Sequence, residues 1–168
     1  ARAVLAWRYP DPYAIYSSAA DAPDASAATY VREFLDRRSP HYVAREEGAA
    51  PDSEPVGFIS FGSSAEVGGE PGAEPEPHLF TPDGALAIGL GMRPDLTGKG
   101  QGLAFLCAAL AFGSETYHPR LFRLYVFDWN ARAIKVYERA GFKPVGQVAQ
   151  PTPDGEPRIF LEMAREEG

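Results

Sequence analysis

The stretch RPDLTGKGQGLAFLCAALAF, residues 93–112, places glycine at 98, 100 and 102 directly ahead of an apolar run of helical spacing. Glycine weakens the interior of helices and strands, so such a cluster marks a turn with unusual dihedrals or a backbone that something approaches closely. The run that follows carries Leu103, Leu106 and Leu110 with Ala104, Cys107, Ala108 and Ala111, which predicts a helix with a broad buried face. Ahead of the turn, GALAIGLGMRP (84–94) alternates as a strand, with Leu86, Ile88, Leu90 and Met92 on one face. The other face is nearly bare, holding Ala87, Gly89 and Gly91, and two glycines in a strand predict a bulge or a close neighbour.

A strand, a glycine turn and a helix start together form an anion site, because free backbone N–H groups and the positive end of the helix dipole converge there. The spacing narrows the choice. A P-loop requires G-x-x-x-x-G-K-[ST], but Arg93 stands where its first glycine should be and Gly100 follows Lys99 in place of Ser or Thr. A dinucleotide fingerprint requires G-x-G-x-x-G, and counting from Gly98 puts Leu103 in the last place. The remaining readings are another phosphate-binding turn or a tight loop with no ligand.

Working outward, RLFRLYVFDW reads as a strand and NARAIKVYERAGF as a helix capped by Asn130 and stopped at Gly141. Asn130 and Tyr137, seven residues apart, share a face of that helix. FKPVGQVAQ and PRIFLEMARE, joined across PTPDGE, close the chain as a hairpin. On the N-terminal side, ARAVLAWRY fits a short helix or a strand, and the two prolines of YPDPYAIY force a turn. DASAATYVREFLDRR (24–38) predicts a helix capped by Asp24 or Ser26, with Tyr30, Val31, Phe34 and Leu35 as its apolar stripe. HYVARE and EPVGFISFG predict two antiparallel strands. Residues 63–83 are rich in Gly, Pro and Glu without an apolar period, which predicts a long, exposed, flexible loop. The order is mixed α/β, with helices inserted between strands.

Composition bounds the function. At 168 residues, 45% hydrophobic and 23% charged, the chain fits one domain over 1–168. The formal charge of −7 speaks against nucleic acid as partner. No segment reaches the length of a membrane span and the opening residues lack the pattern of a secretion signal, so a cytoplasmic protein is expected. One cysteine, Cys107, cannot form an internal disulfide and is expected as a buried structural thiol. No metal is expected. Because the chain opens on Ala1 without methionine, an N-terminal piece is expected ahead of it, and whether that piece holds a strand is left open by the sequence.

The pair LGMRPDLTGKGQGLAFL and VFDWNARAIKVYERAGF resembles motifs A and B of the GNAT superfamily of acyl-CoA-dependent N-acetyltransferases. Motif A, Q/R-x-x-G-x-G/A, falls on Thr97, Gly100 and Gly102, with Thr97 departing from the usual Gln or Arg. Motif B, N-x-x-A-x-x-x-Y-x-x-x-G-F, is matched by Asn130, Ala133, Tyr137, Gly141 and Phe142. The resemblance is firm from about Gly84 to Gly146. It implies a GNAT fold: a central, mostly antiparallel sheet of six to seven strands with a bulged strand at 84–93, flanked by helices. The implied reaction is direct transfer of an acetyl group from acetyl-CoA, as cosubstrate, to a primary amine in a ternary complex.

Carried over residue by residue, the resemblance lays pantetheine along Leu90 and Met92, which accounts for the bare glycine face. It seats the pyrophosphate on the amides of Gly98, Lys99, Gly100, Gln101, Gly102 and Leu103, with Thr97 and Asn130 beside it. Lys99 either adds charge there or is simply solvated. The N–H near Met92 serves the oxyanion. Tyr137 is the general acid or, on the plainer reading, a core tyrosine; a phenol near pKa ~10 needs positional help to protonate a thiolate whose acid is near ~8.5. Asp128 is the candidate base, or faces solvent while a water chain serves. Trp7, Tyr9, Tyr13 and Tyr16 either line the acceptor pocket or form a satellite core. The acceptor is a small-molecule or peptide amine: a protein N-terminus, an amino acid, a polyamine or an aminoglycoside. A protein of this kind acts as monomer or homodimer. The alternative is a degenerate module that binds acyl-CoA without turnover.

Overall fold

The computed structural model describes residues 2–17, 31–32, 34–68, 76–151 and 156–168. Helix α1 (Arg2–Leu5) leads into a 3-10 turn at Tyr13–Tyr16. Strands β1 (His41–Ala44), β2 (Gly57–Phe61) and β3 (Leu86–Met92) follow, then α2 (Gly102–Tyr117), β4 (Leu121–Phe127), α3 (Ala131–Arg139), β5 (Lys143–Gln150) and β6 (Arg158–Glu166). The six strands form one sheet in the order β1-β2-β3-β4-β6-β5. Every pairing is antiparallel except that of β3 with β4, where α2 makes the crossover.

The core is where the sheet meets α2 and α3: Phe61, Leu86, Ile88, Phe122, Leu124 and Met163 from the strands face Leu106 and Leu110 of α2. The buried residues of α2 are Leu106, Ala109, Leu110 and Gly113, a narrow stripe at spacings of three and four. Cys107 lies off that stripe and is exposed, against the expectation of a buried thiol. Ala104, Ala108 and Ala111 are exposed with it, so the buried face is narrower than the apolar run suggests.

The sheet opens in its middle. β3 keeps an unshifted register with β2 from Ile88↔Phe61 to Met92↔Gly57, but pairs with β4 only at Leu86↔Phe122 and Ala87↔Arg123. Meanwhile β4 stays with β6 to its end, at Phe127↔Phe160. The two halves therefore part beyond Ala87. The bulge expected in the strand at 84–93 is not found in the ladder of β3 with β2, which runs unshifted; the register shift lies in β5, between Pro144 and Gly146, and what sets β3 apart is its parting from β4.

The bare face of β3 is filled from within the chain. A Cβ on Gly91 would run into the Phe58 ring, and one on Gly89 would meet Ser60 Oγ at 2.6 Å. Cross-strand neighbours on β2, not pantetheine, therefore account for these two glycines.

One loop expectation and one helix expectation are also corrected. Residues 63–83 are not one exposed loop: the ends are pinned, with Ser63 N donating to His78 O (2.9 Å) and His78 Nε2 paired to Glu66 Oε1 (2.8 Å). Thr81 is buried, its Oγ1 accepting from Ala85 N at 2.9 Å, and Phe80 bridges to Leu86. Residues 69–75 lie outside the described residues. Of the helix expected over 24–38, Val31, Arg32 and Phe34 are helical, while 24–30, with both candidate caps and Tyr30, lie outside the described residues. The chain already turns at Leu35, which is 74% exposed and so leaves the predicted apolar stripe.

Candidate active site

The parting of β3 from β4 exposes backbone. Arg93 N donates to Val56 O at 2.9 Å, which fixes the phase of the β2–β3 ladder. In an antiparallel pair the polar groups alternate sides, so Gly89 and Gly91 face β2, whereas Leu90 and Met92 turn their N–H and C=O groups toward the gap. An extended ligand entering that gap meets a ready strand edge. One of its acceptors is engaged: the Tyr9 hydroxyl donates to Met92 O at 2.7 Å.

Below the gap, a 3-10 turn at Pro94–Leu96 is closed by Thr97, whose N and Oγ1 both donate to Pro94 O, at 3.2 and 2.8 Å. The chain then passes through left-handed dihedrals at Gly98 (φ 74°) and Gly100 (φ 79°), where a side chain is strained. Helix α2 starts without a side-chain cap at Gln101. Among the described residues no hydrogen bond is donated by the amides of Gly98 to Ala104; the first amide that finds a partner is Phe105 N, on Gln101 O at 3.0 Å. Lys99, Gly100 and Gln101 are exposed, and Leu103 is half-buried. Gly102 differs from its two neighbours: a Cβ there would face Val136 of α3 at 3.5 Å, so it serves the approach of two helices. These free amides, at the positive end of a helix, are a donor set suited to a phosphate.

Across the gap, Asn130 is buried and caps α3, its Oδ1 accepting from Ala133 N at 3.2 Å. Its Nδ2 donates to the Tyr16 hydroxyl at 2.8 Å. Tyr137, one face along the same helix, packs its ring edge-on against Phe142, and its hydroxyl has no hydrogen-bond partner among the described residues. Burial first, then the nearby Tyr16, raises the Tyr137 pKa, so its phenol keeps its proton. Burial likewise raises Tyr16 and pushes Tyr9 up to about 12.

The N-terminal segment joins the two sides of the gap through Tyr9 on Met92 and Tyr16 on Asn130. Tyr13 and Tyr16 stack at 6.5 Å, and both lie against Trp129, which in turn stacks on Phe127. The Arg132 guanidinium sits 4.2 Å above the Tyr13 ring. Trp7 stands apart from this group, tilted against Phe58. Asp128, just beyond β4, is exposed; its amide bonds Ile159 O at 3.2 Å and its carboxylate makes no hydrogen bond among the described residues. The structure thus gathers Leu90, Met92, Asn130, Tyr137, Tyr9 and Tyr16 about one gap. Trp129 and Arg132 went unnoticed in the sequence, although a cation in the first turn of a helix runs against the dipole and is a signal that was available.

No metal-binding group of three or more His, Cys, Asp or Glu side chains, and no helix long and apolar enough to cross a membrane, occurs among the described residues. A family model described as the acetyltransferase (GNAT) family matches residues 2–142. No curated protein matches. Among solved structures, a chimera of the Vibrio cholerae spermidine N-acetyltransferase SpeG with hSSAT is 15% identical at a TM-score of 0.62, covering 98% of this chain and 87% of that one. A dodecameric spermidine N-acetyltransferase from Vibrio cholerae is 15% identical at 0.58, covering 85% of this chain and 73% of that one. A protein provisionally named a phosphinothricin N-acetyltransferase is 20% identical at 0.56, covering 86% and 77%. These likenesses concern the fold.

Proposed function

The chain belongs to the GNAT acetyltransferase family, an acyltransferase family, and from that premise we propose that it carries an acetyl group from acetyl-CoA to a primary amine by direct transfer in a ternary complex. The observation that carries this reading is the edge that Leu90 and Met92 turn into the gap, engaged at Met92 O by Tyr9, leading into the amides of Gly98 to Ala104, which have no partner among the described residues. The residues present fit the cosubstrate: a strand edge for an amide-bearing pantetheine arm and a cradle of N–H donors for a pyrophosphate. Acetyl-CoA supplies an activated thioester, whose carbonyl carbon the neutral amine attacks.

The chain fills the remaining roles. Met92 N–H, turned into the gap, stabilises the oxyanion. Tyr137 donates its hydroxyl proton to the sulfur as the carbon–sulfur bond breaks. The proton lost by the attacking nitrogen leaves through Asp128 or a water chain. Tyr9, Tyr13 and Tyr16, with Trp7 at the outer edge, line the approach of the acceptor. The whole chain, 1–168, works as one cytoplasmic domain, as monomer or homodimer.

The test is calorimetric titration with CoA followed by thiol release from acetyl-CoA against an amine panel that includes spermidine and phosphinothricin. Binding plus amine-dependent thiol release is the expected result. Binding without release from any amine identifies a non-catalytic acyl-CoA module, and absence of binding overturns both.

A further inference from the structure

The strongest unassigned feature near the gap is the guanidinium of Arg132. It stands in the first turn of α3, where the helix dipole opposes a cation, and no acidic residue shares that turn. Among the described residues it forms no ion pair, in a chain whose net charge is −7. What holds it is the Tyr13 ring beneath it, at 4.2 Å. Its Nη1 lies 3.7 Å from where a Cβ on Gly98 would be, at the mouth of the turn whose amides are free. An unpaired cation braced on a ring, beside unpaired N–H donors from another element, lacks only the anion.

We infer that Arg132 is a phosphate ligand that closes over the pyrophosphate from the α3 side, opposite the amides of Gly98 to Ala104, with Tyr13 as its platform. The inference rests on the acyl-CoA reading above and adds to it a binding residue at a variable position of the second motif, between Asn130 and Ala133. A planar guanidinium stacked on a ring loses little freedom when it grips a phosphate through two N–H groups. The arrangement also gives Tyr13 a duty distinct from lining an acceptor pocket.

The experiment measures dissociation constants of CoA, dephospho-CoA and pantetheine for the wild type, Arg132→Gln and Arg132→Lys, with melting temperatures as a check on folding. Arg132 is exposed, so both variants should fold. Arg132→Gln should weaken CoA and dephospho-CoA alike, by about tenfold or more, and leave pantetheine unchanged. Arg132→Lys should recover part of the loss. A loss that extends equally to pantetheine makes Arg132 a mere brace for Tyr13, and a loss confined to CoA moves the contact to the 3′-phosphate; either overturns the assignment, as does no loss. Wild type that binds none of the three ligands overturns the acyl-CoA reading first.

Discussion

Asn130 Nδ2 and the Tyr16 hydroxyl meet at 2.8 Å across 114 residues of chain, so the cap of α3 is also the anchor of the N-terminal segment. Asn130 is buried and spends its Oδ1 on Ala133 N, leaving the Nδ2 group dependent on Tyr16. Tyr16→Phe keeps the ring contacts with Phe127 and Trp129 but strands that donor. It should cost about 1–3 kcal/mol in urea denaturation. Asn130→Ala should cost a further ~1 kcal/mol because the helix cap goes too. Equal stability of Tyr16→Phe and wild type would mean that the bond contributes nothing.

The glycine turn supplies an internal control. Gly100 has φ 79° and open space around its missing Cβ, so Gly100→Ala strains the turn by roughly 1–2 kcal/mol and sets a methyl among the free amides. Gly102→Ala places its methyl 3.5 Å from Val136, an ordinary contact, on a helical backbone. CoA affinity by calorimetry should therefore fall at least tenfold for Gly100→Ala and stay close to wild type for Gly102→Ala. The reverse ranking would relocate the phosphate to the helix side of the turn.

What the sequence revealed about the site was the local part. Left-handed turns at Gly98 and Gly100, the cap at Asn130 and the stop at Gly141 are each decided within a few residues, and each was readable. What depended on partners far along the chain was not. The family resemblance alone pointed to Leu90 and Met92; the reason they face the gap is the pairing of Arg93 with Val56, and the reason for Gly89 and Gly91 is Ser60 and Phe58. Which side of α2 is buried is undecidable from a run of Leu, Ala and Cys until the sheet is in place. Arg132 has meaning only once Tyr13 lies beneath it.

The two sides of α2 can be told apart by experiment. Cys107 is exposed, so a thiol reagent should titrate it rapidly without denaturant, and Cys107→Ser should change stability by no more than about 0.5 kcal/mol. Leu110, three residues on, is 2% exposed, and Leu110→Ala should cost roughly 2–5 kcal/mol from lost burial and the cavity left behind. A protected thiol in the folded protein would place the helix in a different rotation.

Tyr137 carries the chemical proposal. Its hydroxyl has no hydrogen-bond partner among the described residues, and burial with the neighbouring Tyr16 raises its pKa, so the group stays protonated through neutral pH and beyond the ordinary phenol value of ~10. A raised folded-state value also means that any stability linked to this proton is fully present below ~10 and is lost only as pH climbs past it. Tyr137→Phe removes the hydroxyl and leaves the ring against Phe142, so folding and CoA affinity should survive. With an accepted amine in hand, kcat should fall by roughly 10² to 10⁴, with KM for acetyl-CoA nearly unchanged, because the lost interaction is made while the thiolate departs. The wild-type rate should show no decline from phenol ionisation below pH ~10, since the proton is still in place. Wild-type turnover in the Phe variant would assign proton delivery to water and return Tyr137 to the role of a packing residue under the cosubstrate.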